Sequence, residues 1–66
     1  MKLFNSPIGY IVLAHVQLVE PVRKTGNGFA FDVHLSGYVC NLAFNSEADA
    51  NYGFDELIEV LQENIS

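Results

Sequence analysis

Two runs of alternating apolar residues around a Ser-Gly pair constrain this chain more than any other feature. Residues 29–35 and 38–44 each place apolar side chains at every second position, with Ser36-Gly37 between them. This period predicts two strands with one buried face, joined by a two-residue turn. A shift by one residue would separate the apolar faces, so the register is well specified. The predicted pairs are Leu35 with Tyr38, Val33 with Cys40, Phe31 with Leu42, and Phe29 with Phe44.

The segment before this hairpin predicts a first strand. Residues 8–19 are dense in β-branched and aromatic side chains, which favour strands. Pro21 fits the end of that strand, and residues 23–28 form a connecting loop in which Gly26-Asn27-Gly28 can adopt positive φ. The sequence therefore predicts a three-stranded antiparallel sheet in the order 1-2-3, with residues 29–36 in the centre.

The last part of the chain predicts an amphipathic helix over residues 54–63. Ser46 and Asp49 resemble a capping box that starts a short helical turn at residues 47–50. Gly53 either separates that turn from the helix or kinks one longer helix. We expect an α+β fold, a βββα two-layer sandwich in a single small domain over residues 1–66. The apolar stripe that would face the sheet is Phe54, Leu57, Ile58, Leu61 and Ile65.

The small size predicts a partner. A 60-residue domain buries only about 60% of the surface of its unfolded chain, and such domains usually need a staple. Cys40 is the only cysteine, so no intrachain disulfide is available, and one Cys with two His does not make a structural zinc site. We therefore expect no metal or other cofactor, and either self-association or binding to a larger protein.

The outer face of the predicted sheet is a candidate for self-association. Ile11 and Leu13 from the first strand and Val39 from the third are expected there, on the side away from the helix. An apolar patch on a small protein usually marks an interface, here a homodimer. The alternative is that Leu3 and Phe4 fold over this face.

The charge distribution supplies the second candidate surface. Residues 45–66 carry six carboxylates and no Lys or Arg, whereas residues 1–44 have a net charge of +1. The helix face is either solvated for solubility or a docking surface for a basic protein partner. Its carboxylates, opposite the apolar stripe, are Asp55, Glu56, Glu59 and Glu63.

Charge and hydropathy exclude other partners. A net charge of −5 with three Lys and Arg residues opposes direct binding of nucleic acid. The apolar segment 8–19 is too short for a bilayer span, and the start at residues 1–7 resembles a native N-terminus without a signal peptide. With a single cysteine, the chain is expected in the cytoplasm, without membrane contact.

Three residues suggest chemistry. Asp32 and His34 share a strand face, and His15 could join them in a metal site or a His–Asp proton relay. The alternative is a solvated polar strip. Cys40 is expected to act as a small inward hydrophobe and not as a nucleophile. The chain is therefore predicted not to be an enzyme.

Three functional hypotheses follow. The first is a small, non-catalytic regulator or inhibitor whose acidic face docks on a basic surface of a larger protein, including one that binds nucleic acid. Its size and charge are analogous to those of phage and mobile-element regulators. The second is a homo-oligomeric structural or assembly subunit that works through the outer sheet face. The third is a small metal or His–Asp enzyme.

Overall fold

The computed structural model describes residues 2–65, with side chains for residues 2–63, and has an α+β fold of two antiparallel sheets and one C-terminal helix. A short 3₁₀-helix at Leu13–His15 separates the second and third strands. The strands are β1 Leu3–Ser6, β2 Gly9–Val12, β3 Val16–Val19, β4 Arg23–Lys24, β5 Phe29–Leu35 and β6 Tyr38–Phe44, and the helix is α1 Glu47–Ile65.

The β5–β6 hairpin has the predicted register at all seven pairs, from Phe29 opposite Phe44 to Leu35 opposite Tyr38. Gly37 takes a φ of 93° in the turn, a conformation that glycine adopts without strain. Alternate side chains of β5 point into the core, where Phe31 and Val33 have no exposed surface. The local pattern therefore predicted this hairpin correctly.

The predicted first strand over residues 8–19, and with it the single sheet in the order 1-2-3, is wrong. β1 and β2 form their own two-stranded sheet, with Phe4 opposite Ile11. The cause is a turn at residues 6–9, where Pro7 at the second position and Gly9 at the fourth are typical turn residues. The Ser6 hydroxyl donates to the Gly9 carbonyl at 2.6 Å, and Gly9 has a φ of 129°.

The four-stranded sheet is built around β5. β3 and β4 lie in tandem along one edge of β5, and β6 lies along the other. Val19 pairs with Val33 and Arg23 with Ala30, so the chain leaves the edge only around Pro21. In the loop after β4, Gly26 and Gly28 do not adopt the positive φ that the sequence allowed. Glycine is needed at position 28 for space, because a Cβ there would lie 2.3 Å from a backbone oxygen.

The helix is one continuous element that begins earlier than predicted. Ser46 caps it, because its Oγ accepts a hydrogen bond from the Asp49 amide at 3.2 Å. Gly53 lies inside the helix without ending it. A Cβ at Gly53 would lie 2.9 Å from Cζ of Phe44, so glycine lets the helix approach this ring. The side chain of Ile65 lies outside the described residues.

The core forms between α1 and the inner face of the larger sheet, and the N-terminal hairpin closes one side of it. Phe31 stacks on Phe44 with ring centroids 5.8 Å apart and meets Phe54 edge-on at 5.4 Å. Leu57 is fully buried, and Val60, which the predicted stripe omitted, packs against the cluster. The buried cluster consists of Phe4, Ile11, Leu13, Phe31, Val33, Leu35, Leu42 and Leu57.

Candidate functional site

The acidic face of α1 is an ordered, exposed array of carboxylates. Asp55, Glu56, Glu59 and Glu63 are all exposed, on a helix that Leu57 holds to the core. Residues four apart on a helix are separated by a rise of about 6 Å, so the array extends for about 12 Å along α1. Because residues 45–66 contain no Lys or Arg, no basic side chain of this segment neutralises the array.

Two carboxylates at the larger sheet, Asp32 in β5 and Glu20 directly after β3, are paired with other side chains. Asp32 accepts a hydrogen bond from Asn41 Nδ2 at 2.8 Å, and its Oδ2 lies 3.3 Å from Arg23 Nη1. The hydrogen bond from Asn41 is the main cause that holds the pKa of Asp32 below its ordinary value of 3.8; Arg23 adds to the shift, and partial burial opposes it. His34 Nε2 lies 2.5 Å from Glu20 Oε2.

The structure does not bring His15, Asp32 and His34 together as a ligand set. Within the described part of the chain, no three His, Cys, Asp or Glu side chains are grouped closely enough to hold a metal ion. Asp32 and His34 are engaged by their neighbours, and His15 is exposed at the end of the 3₁₀-helix. Cys40 is a half-buried free thiol packed against the core, opposite Val33.

The predicted apolar outer face is also wrong for two of its three residues. Ile11 is 4% exposed and Leu13 is 3% exposed, because the β1–β2 hairpin folds both into the core. Val39 alone remains on the surface, at 52% exposure. The alternative, in which Leu3 and Phe4 fold over this face, is closer to the structure. Phe4 is buried opposite Ile11, although Leu3 stays half exposed.

A cleft of about 300 Å³ adjoins the acidic face. Phe44 contributes to it at the end of β6, where its ring lies against the bare Cα of Gly53. The lining residues from the N-terminal hairpin are Phe4, Asn5 and Pro7, and those from the first half of α1 are Asp49, Tyr52, Gly53 and Glu56. Glu56 therefore belongs both to the acidic face and to the rim of this cleft, which we call the hairpin cleft.

A second cleft of similar volume, about 300 Å³, lies between β3 and the second half of α1. None of the lining side chains within residues 2–63 is charged. Its walls are Val16, Gln17, Leu18, Val19, Ile58 and Leu61. We call it the β3 cleft, and it provides an internal comparison for the hairpin cleft.

The hairpin cleft was not predicted, because the N-terminal hairpin that forms part of its wall was not predicted. Two signals were present. Ser6-Pro7-Ile8-Gly9 has the composition of a turn, and an isolated glycine in a helical pattern, such as Gly53, is tolerated without ending the helix. Ile8 and Gly9 had been assigned to the predicted first strand, however, and Gly53 to a break or kink in the helix.

Within residues 2–65, no helix is long and apolar enough to cross a membrane. Comparison of the chain with protein-family models, with curated proteins and with solved structures found no match.

Proposed function

We propose that this protein is a small, non-catalytic interaction protein that docks the acidic face of α1 on a basic surface of a larger protein and so regulates or inhibits it. The observation that carries the proposal is the contrast in charge pairing. Asp55, Glu56 and Glu59 are exposed on a segment without basic residues, whereas Asp32 and Glu20 on the sheet are paired within the fold.

The acidic face also opposes the stability of its own helix. Asp55 and Glu59 are like charges four residues apart, and such a pair destabilises a helix by about 0.2–0.5 kcal/mol. Surface positions that reduce stability are often retained for function. Solubility alone would also be served by carboxylates placed apart from one another.

An array of this kind acts at long range. A surface of one charge sign attracts an oppositely charged partner and raises the rate of association, and the effect falls as salt screens it. Basic surfaces that bind nucleic acid attract phosphates by the same Lys and Arg side chains. We therefore include such surfaces among the targets, and the protein would compete there with nucleic acid.

The test is salt-dependent capture by the immobilised protein from an extract of its own cells. Asp55→Asn, Glu56→Gln and Glu59→Gln are combined in a neutralised variant, which raises the net charge by three. A control variant raises it equally by lysines at exposed sites off the helix: Gln17→Lys, Asn27→Lys and Ser36→Lys.

The wild type and the control should retain basic proteins that elute as salt is raised, and the neutralised variant should retain little. Circular dichroism checks that all three are folded. Added DNA should displace the captured protein if its basic surface also binds nucleic acid. Equal capture by the neutralised variant, or capture that resists salt, would contradict the proposal.

A second candidate function is supported by the exposed edge of β6. Among the described residues, β6 pairs only with β5, and residues 38–44 contain no charge and no proline. Natural sheets usually protect an edge by charges, prolines or bulges. A homo-oligomeric assembly subunit would pair this edge with a second copy.

Self-association is measured by sedimentation equilibrium over a wide concentration range. The wild type should form dimers, and Ala43→Lys, at an exposed position of β6, should shift the equilibrium to monomers. Gln17→Lys, also exposed but on β3, is the matched control. A wild type that stays monomeric at the highest concentration would exclude this candidate.

A further inference from the structure

We propose that the hairpin cleft binds an arginine side chain of the basic partner. The inference rests on the proposed function, and it names the side chain of the partner that would anchor the contact. An exposed array of carboxylates contributes little affinity by itself, because surface ion pairs are worth about 0–1 kcal/mol each. Tight protein contacts usually depend on a few side chains, arginine among them, that enter desolvated pockets.

The apolar wall of the hairpin cleft is fixed before any partner arrives. Phe44 stacks on the fully buried Phe31, and Phe4 is 6% exposed. Gly53 lets the Phe44 ring lie directly against α1, since a side chain at this position would meet the ring. The wall is therefore aromatic and packed against the core, and it lies beside the first half of α1.

The rim carries negative charge. Asp49 and Glu56 are exposed and lie two helical turns apart, at a rise of about 10 Å along α1. Tyr52 lies between them in sequence and is 72% exposed. Among the described residues that line the cleft there is no Lys, Arg or His, so the rim attracts a cation.

Arginine matches both parts of this cleft. Its guanidinium is planar and weakly hydrated, stacks on aromatic rings, and donates in a fork to carboxylates. Lysine offers the charge but is strongly hydrated and lacks the planar stack. An anion would be repelled by Asp49 and Glu56, and a neutral apolar group would leave them without a partner.

The volume is sufficient for one arginine side chain. The cleft measures about 300 Å³, at the lower end of the range of about 300–1,000 Å³ for small-molecule sites. The β3 cleft is as large, but its lining in the part of the chain that the structure describes carries no charged side chain. It therefore gives arginine no partner, although its volume would admit the same side chain.

The test is an NMR titration of the labelled protein with tetra-arginine and tetra-lysine peptides of equal charge at low salt. The acidic face attracts both peptides. The hairpin cleft should make the affinity for tetra-arginine about three- to tenfold higher. The amide resonances that shift more with tetra-arginine than with tetra-lysine should include those of Asn5, Tyr52 and Gly53.

Two matched variants separate the hairpin cleft from the acidic face. Glu56→Gln and Glu59→Gln remove one exposed carboxylate each, three residues apart on α1, but only Glu56 lines the cleft. Glu56→Gln should reduce the preference for tetra-arginine to less than about twofold, whereas Glu59→Gln should weaken both peptides equally. Tyr52→Ala, at an exposed position, should also reduce the preference.

Each outcome decides between the inference and the function on which it rests. Equal affinity for the two peptides, or equal effects of Glu56→Gln and Glu59→Gln, would overturn the arginine site and leave docking by the acidic face in place. Binding of neither peptide at low salt would overturn both. Shifts around Val19 and Ile58 would assign the ligand to the β3 cleft and also contradict the inference.

Discussion

The sheet face and the helix face of this domain both carry carboxylates, but in opposite surroundings. On the sheet, Asp32 accepts from Asn41 and pairs with Arg23, and Glu20 pairs with His34. On the helix, exposed carboxylates such as Asp55 and Glu59 repel one another in a segment without basic residues. Neutralising a carboxylate should therefore destabilise the fold on the sheet and stabilise it on the helix.

The largest expected effect comes from Leu57→Ala, which weakens the packing of the helix against the sheet. Leu57 is fully buried against the sheet, and Leu57→Ala should reduce the free energy of unfolding by about 2–5 kcal/mol. Small domains have little stability to lose, so the helical circular dichroism should decrease even without denaturant. Urea titration gives the value.

Leu18→Ala is the control for this prediction, because Leu18 is 55% exposed and the chemical change is the same. It should alter the free energy of unfolding by less than about 0.5 kcal/mol. A cost below about 1 kcal/mol for Leu57→Ala would mean that Leu57 does not hold the acidic face to the core.

The parts of the fold that the sequence predicted are those specified by local patterns. The alternation around Ser36-Gly37 predicts β5 and β6, and the helical spacing with Ser46 predicts the cap and the apolar side of α1. The acidic face follows from the same spacing, because exposed positions of an amphipathic helix are those opposite its apolar stripe. These assignments need no knowledge of distant residues.

The missed parts depend on contacts between distant segments. The alternation of residues 8–19 is compatible with one strand, and it is broken at Leu13–His15, where the His15 carbonyl accepts from the Ser36 amide. Gly53 resembles a helix break until Phe44 is placed against it. The hairpin cleft requires both contacts, so periodicity alone could not predict it.

A smaller effect tests the sheet side of the comparison. Asp32→Asn removes the ion pair with Arg23 and should reduce the free energy of unfolding by up to about 1 kcal/mol at pH 7. The folded pKa of Asp32 lies below its ordinary value of 3.8, so its contribution is present above that value and is lost as pH falls through the folded pKa.

The pH dependence of the free energy of unfolding tests this prediction, with Asp55→Asn as the control. Between pH 5 and pH 2, the wild type should lose more stability than Asp32→Asn, as measured by urea midpoints across this window. Asp55→Asn on the helix face removes the same charge and should leave the loss close to that of the wild type. A matching reduction in Asp55→Asn would show that the two faces do not differ.

The smallest effect has the opposite sign and tests the helix side. Glu59→Gln removes the repulsion between Asp55 and Glu59, and Gln and Glu have similar helix propensities. The free energy of unfolding should rise by about 0.2–0.5 kcal/mol, or roughly 1–4 °C in Tm for a domain of this size. The gain should shrink as salt screens the charges. A decrease in Tm would mean that Glu59 is paired within the fold, as Asp32 is. A gain in stability together with weaker capture of the partner would instead indicate that the helix carboxylates are kept for binding.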